Sequence, residues 1–335
     1  MSTSDAELLR LARELADDEL YPRAIDVDLS GEVPTAQLDL LAEAGMYGVS
    51  VRAEPATVTS LIEIIASGCL TTAFVWTQHL GASAAAHHCE GAASRFAEDL
   101  LDGRLRGGVA FAHMLRGGDP LTVASPTAGG WTFRGRAPWV TGWGHIDLVY
   151  AAARHGSDIV WALVDASDGP TLRSSQPPIA AINSSRTVEL EWRDHFIPDD
   201  RIVRVEDYDE WRARYRLGLR NNGSFPIGIA SRCCRLLARP DFDVRLAEAR
   251  DVLDAASVDE LPSARADAAL FAVTSSTALV AEVGGRAVVT NHHAQRLHRE
   301  AMFLLVQGQT PEIKAHMLER LASTSSPGDG SGPVR

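Results

Sequence analysis

The sequence predicts an α+β chain in three consecutive parts: an N-terminal all-α domain (residues 1–107), a central antiparallel β domain (108–207) and a C-terminal helix bundle (208–322). Three observations carry that order. Apolar residues keep a helical period from Asp5 to about Leu105. The pattern then shifts to strand alternation, broken by glycine turns, from Gly108 to about Val205, and the helical period returns after Tyr208.

Leu8, Leu9, Leu11, Ala12 and Leu15 mark the first amphipathic helix, and Tyr21-Pro22 is expected to end it, because the residue before a proline avoids the helical region. Pro34 opens a second helix, with Leu38, Leu41 and Ala42 facing inward and Gly45 near its end. The almost wholly apolar stretch from Val58 to Ala86 predicts one or two helices buried on most sides. In the β part, Gly129-Gly130 followed by Trp131 and Phe133, then Arg134-Gly135, reads as strand and turn. Gly156-Ser157-Asp158 predicts a hairpin turn between LVYAAA and IVWALV, and Val188, Leu190 and Trp192 alternate along another strand. In the bundle, Ser224 is expected to cap a helix with Pro226 in its first turn. Further helices are expected over Phe242–Ala256, Pro262–Val283, His293–Gln307 and Pro311–Leu321. The tail from Ser323, small, polar and rich in proline and glycine, is expected to be disordered.

With 335 residues and 45% hydrophobic composition, the chain can bury a large core. A net charge of −12 argues against nucleic acid or an anionic membrane as the main partner, since both require concentrated positive charge. The N-terminus MSTSDAELLR is acidic and lacks an apolar core segment, and the apolar helix near Ala264–Val283 is interrupted by Thr274, Ser275, Ser276 and Thr277. No secretory signal or membrane span is read, and the expected compartment is the cytoplasm. Cys69, Cys89, Cys233 and Cys234 have no metal-ligand spacing and are expected to be reduced packing residues, so no metal site is expected.

The segment Gly284–Lys314 carries the most functional information. Leu297, Ala301, Leu304, Leu305 and Gly308 lie on one helical face, a polar break follows at Gln307–Gln309, and Thr310, Pro311 and Glu312 give the cap hydroxyl, N1 proline and first-turn acid of a new helix. The paired glycines Gly284-Gly285, the run RLHREA and the helix opened by T-P-E-I together resemble the C-terminal signature of the acyl-CoA dehydrogenase family, closest to a divergent actinobacterial group. The resemblance implies that family's fold and an FAD cofactor. Trp139-Val140-Thr141 is similar to the family's W-[IV]-[ST] segment, which implies Trp139 along the flavin ring and the Thr141 hydroxyl near its N5 edge. The loop Ala110–Asp119 stands where the family has T-E-P-x-x-G-S-D, in a degraded form: Phe111 and Ala112 retain backbone groups for the flavin, and Gly118 replaces the serine.

The expected cofactor contacts are therefore Phe111, Ala112, Gly118, Trp139, Thr141, Gly284, Gly285, Thr310 and Glu312. Taken singly, Thr310 and Glu312 are also explained as helix-start residues, Gly284-Gly285 as a helix end, and His113 as a structural histidine. Arg299-Glu300 matches an Arg-acid pair of the family and is expected to be a structural ion pair. In many members the base that removes the substrate α-proton is a glutamate two residues before the threonine; here that residue is Gly308, whose side chain cannot accept a proton. The alternative base position, on the first bundle helix, is unfilled too: Leu217–Pro226 contains no acid.

The resemblance thus implies an FAD-dependent oxidoreductase acting on an acyl-CoA or acyl-thioester, as a homodimer or tetramer. A monooxygenase of the same fold, or a non-catalytic subunit pairing with an active homologue, remain as alternatives.

Overall fold

A computed structural model describes residues 4–116 and 118–323; the expected disordered tail lies outside them except for Ser323, which closes the last helix. The first helix does not end at Pro22. Helix α1 (Asp5–Glu14) passes through a π turn (Leu15–Leu20) into α2 (Tyr21–Ser30), with Tyr21 N–H bonded to the Ala16 carbonyl. That widened turn sits just where the proline lacks a donor, and Gly31 ends the run in the left-handed conformation at φ 84°. Helices α3 (Thr35–Glu43), α4 (Val49–Arg52), α5 (Pro55–Gly68), α6 (Leu70–His87) and α7 (Ala97–Leu101) complete the first layer.

Eight strands follow: β1 (Gly107–Ala110), β2 (Thr122–Thr127), β3 (Gly130–Val140), β4 (Leu148–His155), β5 (Asp158–Asp165), β6 (Leu172–Ser175), β7 (Val188–Pro198) and β8 (Ile202–Asp207). They form one sheet in the order β6-β7-β3-β2-β4-β5-β8, with β1 added against β4; all pairs are antiparallel except β1–β4 and β2–β4. The β4–β5 hairpin turns at Gly156-Ser157, with Gly156 at φ 59°. Arg134-Gly135 is not a turn. Strand β3 runs straight through it, and Gly135 at φ 124° marks a bulge where a Cβ would lie 2.0 Å from the Leu121 carbonyl oxygen. Both faces of β4 and β5 are buried: Val149, Ala151, Val160 and Ala162 on one side, Tyr150, Trp161 and Leu163 against α6 on the other.

The bundle comprises α8 (Tyr208–Tyr215), α9 (Leu219–Leu237), α10 (Pro240–Ala255), α11 (Leu261–Val283), α12 (His293–Leu304) and α13 (Pro311–Ser323). Ser224 does not cap α9, which starts at Leu219; Ser224 is buried within it and its hydroxyl accepts from Arg220 at 2.9 Å. Pro226 therefore lies inside a helix and removes the N–H that would bond the Asn222 carbonyl. By length and composition, Leu261–Val288 could cross a membrane, yet α11 is a bundle helix packed on α9, α10, α12 and α13. One continuous core runs through Leu61, Ile65, Phe74, Ile229, Cys233, Leu297 and Leu304, so the helices before and after the sheet fuse into one body. Gly228 permits the approach of α9 to α5: a Cβ there would stand 2.5 Å from the Glu63 carbonyl oxygen. All four cysteines are free and buried.

Candidate active site

The loop after β1 tightens into a 3-10 turn, Ala112–Leu115. Its first residue, Phe111, is half-buried with its ring 6.1 Å from Tyr215, 6.0 Å from Trp211 and 5.8 Å from Trp161. The Phe111 carbonyl accepts from Met114 N–H at 2.8 Å, so it is already used inside the loop. His113 points inward: it is buried, its Nε2–H donates to the Ala152 carbonyl at 3.2 Å, and burial pushes its pKa down to about 4. That is a structural histidine. Gly118, at φ 93°, has open space around the position a Cβ would take.

Trp139 and Thr141 lie at the end of β3 but in opposite environments. The register slips between Ala137 and Val140, and Trp139 adopts φ 66°, the left-handed region that bulky residues avoid. Its indole is 58% exposed. Thr141 is buried, and its hydroxyl lies 2.9 Å from that of Thr187, which lies 2.7 Å from Ser185 Oγ. If Ser185 donates to Thr187 and Thr187 to Thr141, the Thr141 proton stays free for another acceptor.

The turn between α12 and α13 is built by backbone demands. Gly308 takes φ 59°, and a Cβ there would meet the Asn222 amide at 3.3 Å. Thr310 caps α13 by accepting from Ile313 N–H at 3.3 Å. Glu312 is held below the usual carboxylate range by its own backbone N–H and the Thr310 hydroxyl, and it pairs with Arg216 at 3.2 Å. Gly284, at φ 68°, ends α11; it and Gly285 are exposed with nothing near their Cβ positions.

Two bridges join sheet and bundle around these residues. A Cβ on Gly142 would lie 3.4 Å from Val75 of α6, whose neighbour Phe74 packs on Phe225 and Phe303 at 5.7 and 5.2 Å. On the other side Phe111 meets Tyr215, whose phenol is raised by burial and lowered by the nearby side chain of Asn222, beside Gly308. The Phe111 loop and the Gly308 turn thus share a neighbourhood that the sequence reading did not assemble. A separate cleft of about 350 Å³ between α2, the β6–β7 connection and α12 contains none of the nine expected cofactor contacts.

Arg299 and Glu300 do not pair with each other. Arg299 holds Asp28 and Gln295, whereas Glu300 takes Arg296 at 2.6 Å, both nearly inaccessible, because residues four apart share a helix face and adjacent ones do not. Sequence reasoning also missed Tyr215, Asn222 and Arg265. The signal for Arg265 was a single charge amid Ala264, Ala266, Ala268 and Ala269.

No protein-family model and no curated protein matches the chain. Solved structures do, and the fold they share is that of the acyl-CoA dehydrogenases. Butyryl-CoA dehydrogenase from Megasphaera elsdenii superposes with a TM-score of 0.82 at 16% identity, over 96% of this chain and 99% of that one. Glutaryl-CoA dehydrogenase from Mycobacterium smegmatis, in complex with FADH2, gives 0.80 at 12% identity over 98% and 96%. PigA, solved with FAD and proline, gives 0.77 at 18% identity over 96% and 98%.

Proposed function

We propose that this chain is an FAD-dependent oxidoreductase of the acyl-CoA dehydrogenase type, acting on an acyl-CoA or related acyl-thioester in the cytoplasm, as a homodimer or tetramer or paired with a related subunit. The observation that carries the reading is the shared fold over nearly the full length of chains solved with flavin. The residues present suit an FAD: an exposed indole at Trp139 offers a stacking face, Gly284-Gly285 leave open backbone, and the N-terminus of α13 at Thr310 and Glu312 offers polar groups. Phe111, Ala112, Gly118 and Thr141 would complete the contacts, with Phe111 giving its N–H rather than its occupied carbonyl.

FAD, when bound, supplies the hydride acceptor for oxidation beside a thioester carbonyl. Trp139 and Thr141 orient and enclose that group, and Phe74, Phe225 and Phe303 exclude water from the bundle side. No carboxylate stands at Gly308 to take the α-proton, so classical dehydrogenation needs a base from elsewhere. That deficit favours a second reading, an oxygenase or a partner-dependent subunit of the same fold.

Purified protein is expected to be yellow, or to take up added FAD. A colourless protein that fails to bind FAD would sink the proposal. Anaerobic mixing with a panel of acyl-CoA thioesters separates the readings: bleaching marks a dehydrogenase, and persistent colour marks the oxygenase or subunit.

A further inference from the structure

Backbone strain in this chain is concentrated. Among the described residues five non-glycine residues take a positive φ, and three of them flank one junction, between the end of β3 and the start of β7: Trp139 at 66°, Ile182 at 49° and Arg186 at 49°. A tryptophan and a β-branched isoleucine in the left-handed region are both costly, and such conformations persist only where the surroundings enforce them.

The enforcing contacts can be traced. Ala137 stands opposite Leu190 and Val140 opposite Val188, so Pro138 and Trp139 face Glu189 alone, which makes a bulge. Just beyond it, Gly142 N–H donates to the Ser185 carbonyl at 2.9 Å and Trp143 N–H to the Arg186 carbonyl at 3.2 Å. The buried hydroxyls of Thr141, Thr187 and Ser185 form a chain with Thr187 at its centre, 2.9 Å from the first and 2.7 Å from the last. The turn that supplies these partners is anchored in its own right. Ile182 is sunk in the helical core, and the Ser184 hydroxyl donates to the Val27 carbonyl of α2. Arg186 pairs with Glu32 at 3.4 Å and lays its guanidinium on Gly144, where a Cβ would meet it at 3.3 Å. All this ordering ends in one solvent-facing group, the Trp139 indole. Packing gains nothing from holding an exposed ring in a strained setting, whereas a ring fixed in advance for a ligand spares the cost of ordering it on binding.

We propose that the turn at residues 182–187 is a clamp that holds Trp139 in its exposed, left-handed setting to receive the face of a planar heteroaromatic ring, with Thr187 as the central positioning residue. That this ring is the flavin's rests on the function proposed above, whereas the clamp itself does not.

Fluorine NMR of protein grown with a fluorotryptophan reads the clamp without any cofactor, and Trp139→Asn assigns the Trp139 line. The parent should give one narrow Trp139 line. Thr187→Val, close in shape but lacking both hydroxyl bonds, should broaden or split it, and Thr187→Ser, which restores the hydroxyl, should return it. In flavin titrations Thr187→Val should weaken FAD binding about tenfold, and should weaken it no further in the Trp139→Asn background, because the clamp acts only through that ring. Should Thr187→Val fail to fold, Ser185→Ala, which removes one of the two bonds, serves for each comparison. A Trp139 line that is broad in the parent or unchanged by Thr187→Val, or equal losses of FAD affinity in the two backgrounds, would overturn the clamp. A line that depends on Thr187 in a protein that takes up no FAD sinks the flavin reading only, and a yellow protein whose Trp139 line ignores residue 187 sinks the clamp only.

Discussion

Trp139 is the residue whose conformation most needs a reason. A bulky side chain at φ 66° costs on the order of 1 kcal/mol or more, and 58% of it remains in water, so neither backbone preference nor burial explains it. The stacking on FAD proposed above would supply that reason. Trp139→Asn is predicted to leave stability within about 1 kcal/mol of the parent, because asparagine accepts the left-handed region, while lowering FAD affinity about tenfold. Urea unfolding and flavin titration of the same variant check both halves; unchanged flavin affinity would remove Trp139 from the site. Gly308 has the opposite status, since its φ of 59° and the Asn222 amide at 3.3 Å give glycine a local cause. Gly308→Ala should cost about 1 kcal/mol in urea unfolding.

At the scale of elements, α12 shows how packing uses a charge pattern. The pair of Arg296 with Glu300, in which Nη1 donates to both carboxylate oxygens at 2.6 and 2.8 Å, is sealed in the helical core, where burial raises the Glu300 carboxyl against the pull of Arg296. Arg296→Met alone should destabilise by about 3–5 kcal/mol, and Arg296→Met with Glu300→Leu should recover most of it, because the lone buried acid is what costs. Denaturant unfolding of the two variants decides this, and equal losses would show that the pair itself is net stabilising. The period of the sequence revealed α12 and the neighbouring helices because helical spacing is local. Local rules failed where a distant partner intervened. Pro22 is absorbed by a π turn, Pro226 sits within α9, and Gly135 is a bulge set by Leu121 rather than a turn. The candidate site was legible only in its chain-local parts: the Thr310 cap, and the glycines at 284 and 308. The meeting of Phe111 with Tyr215, and of Tyr215 with Asn222, depends on α8 folding back over the sheet, which no spacing encodes.

Across the whole molecule, two buried histidines lie at or near the seam where the helical body meets the sheet. His79 of α6 accepts the N–H of Gly107, the first residue of β1, at 2.9 Å, and His113 donates across to β4 at Ala152. Burial lowers both from the ordinary value of 6.5, to about 3 for His79 and about 4 for His113. The unfolded chain therefore binds protons that the folded chain refuses. The stability these groups contribute is complete above about pH 6.5 and is lost as pH falls toward about 4, at up to about 1.4 kcal/mol per pH unit for each histidine. Protonating His79 also breaks its bond to Gly107, so acid should open the junction of α6 with β1. His79→Asn keeps an acceptor for that N–H but does not titrate. Urea unfolding between about pH 7 and pH 5 should show a clearly shallower loss of stability in this variant, even if it starts less stable. An identical slope in the two proteins would mean that the acid response comes from other histidines that burial lowers, such as His113, His145, His195 and His293, and not from His79.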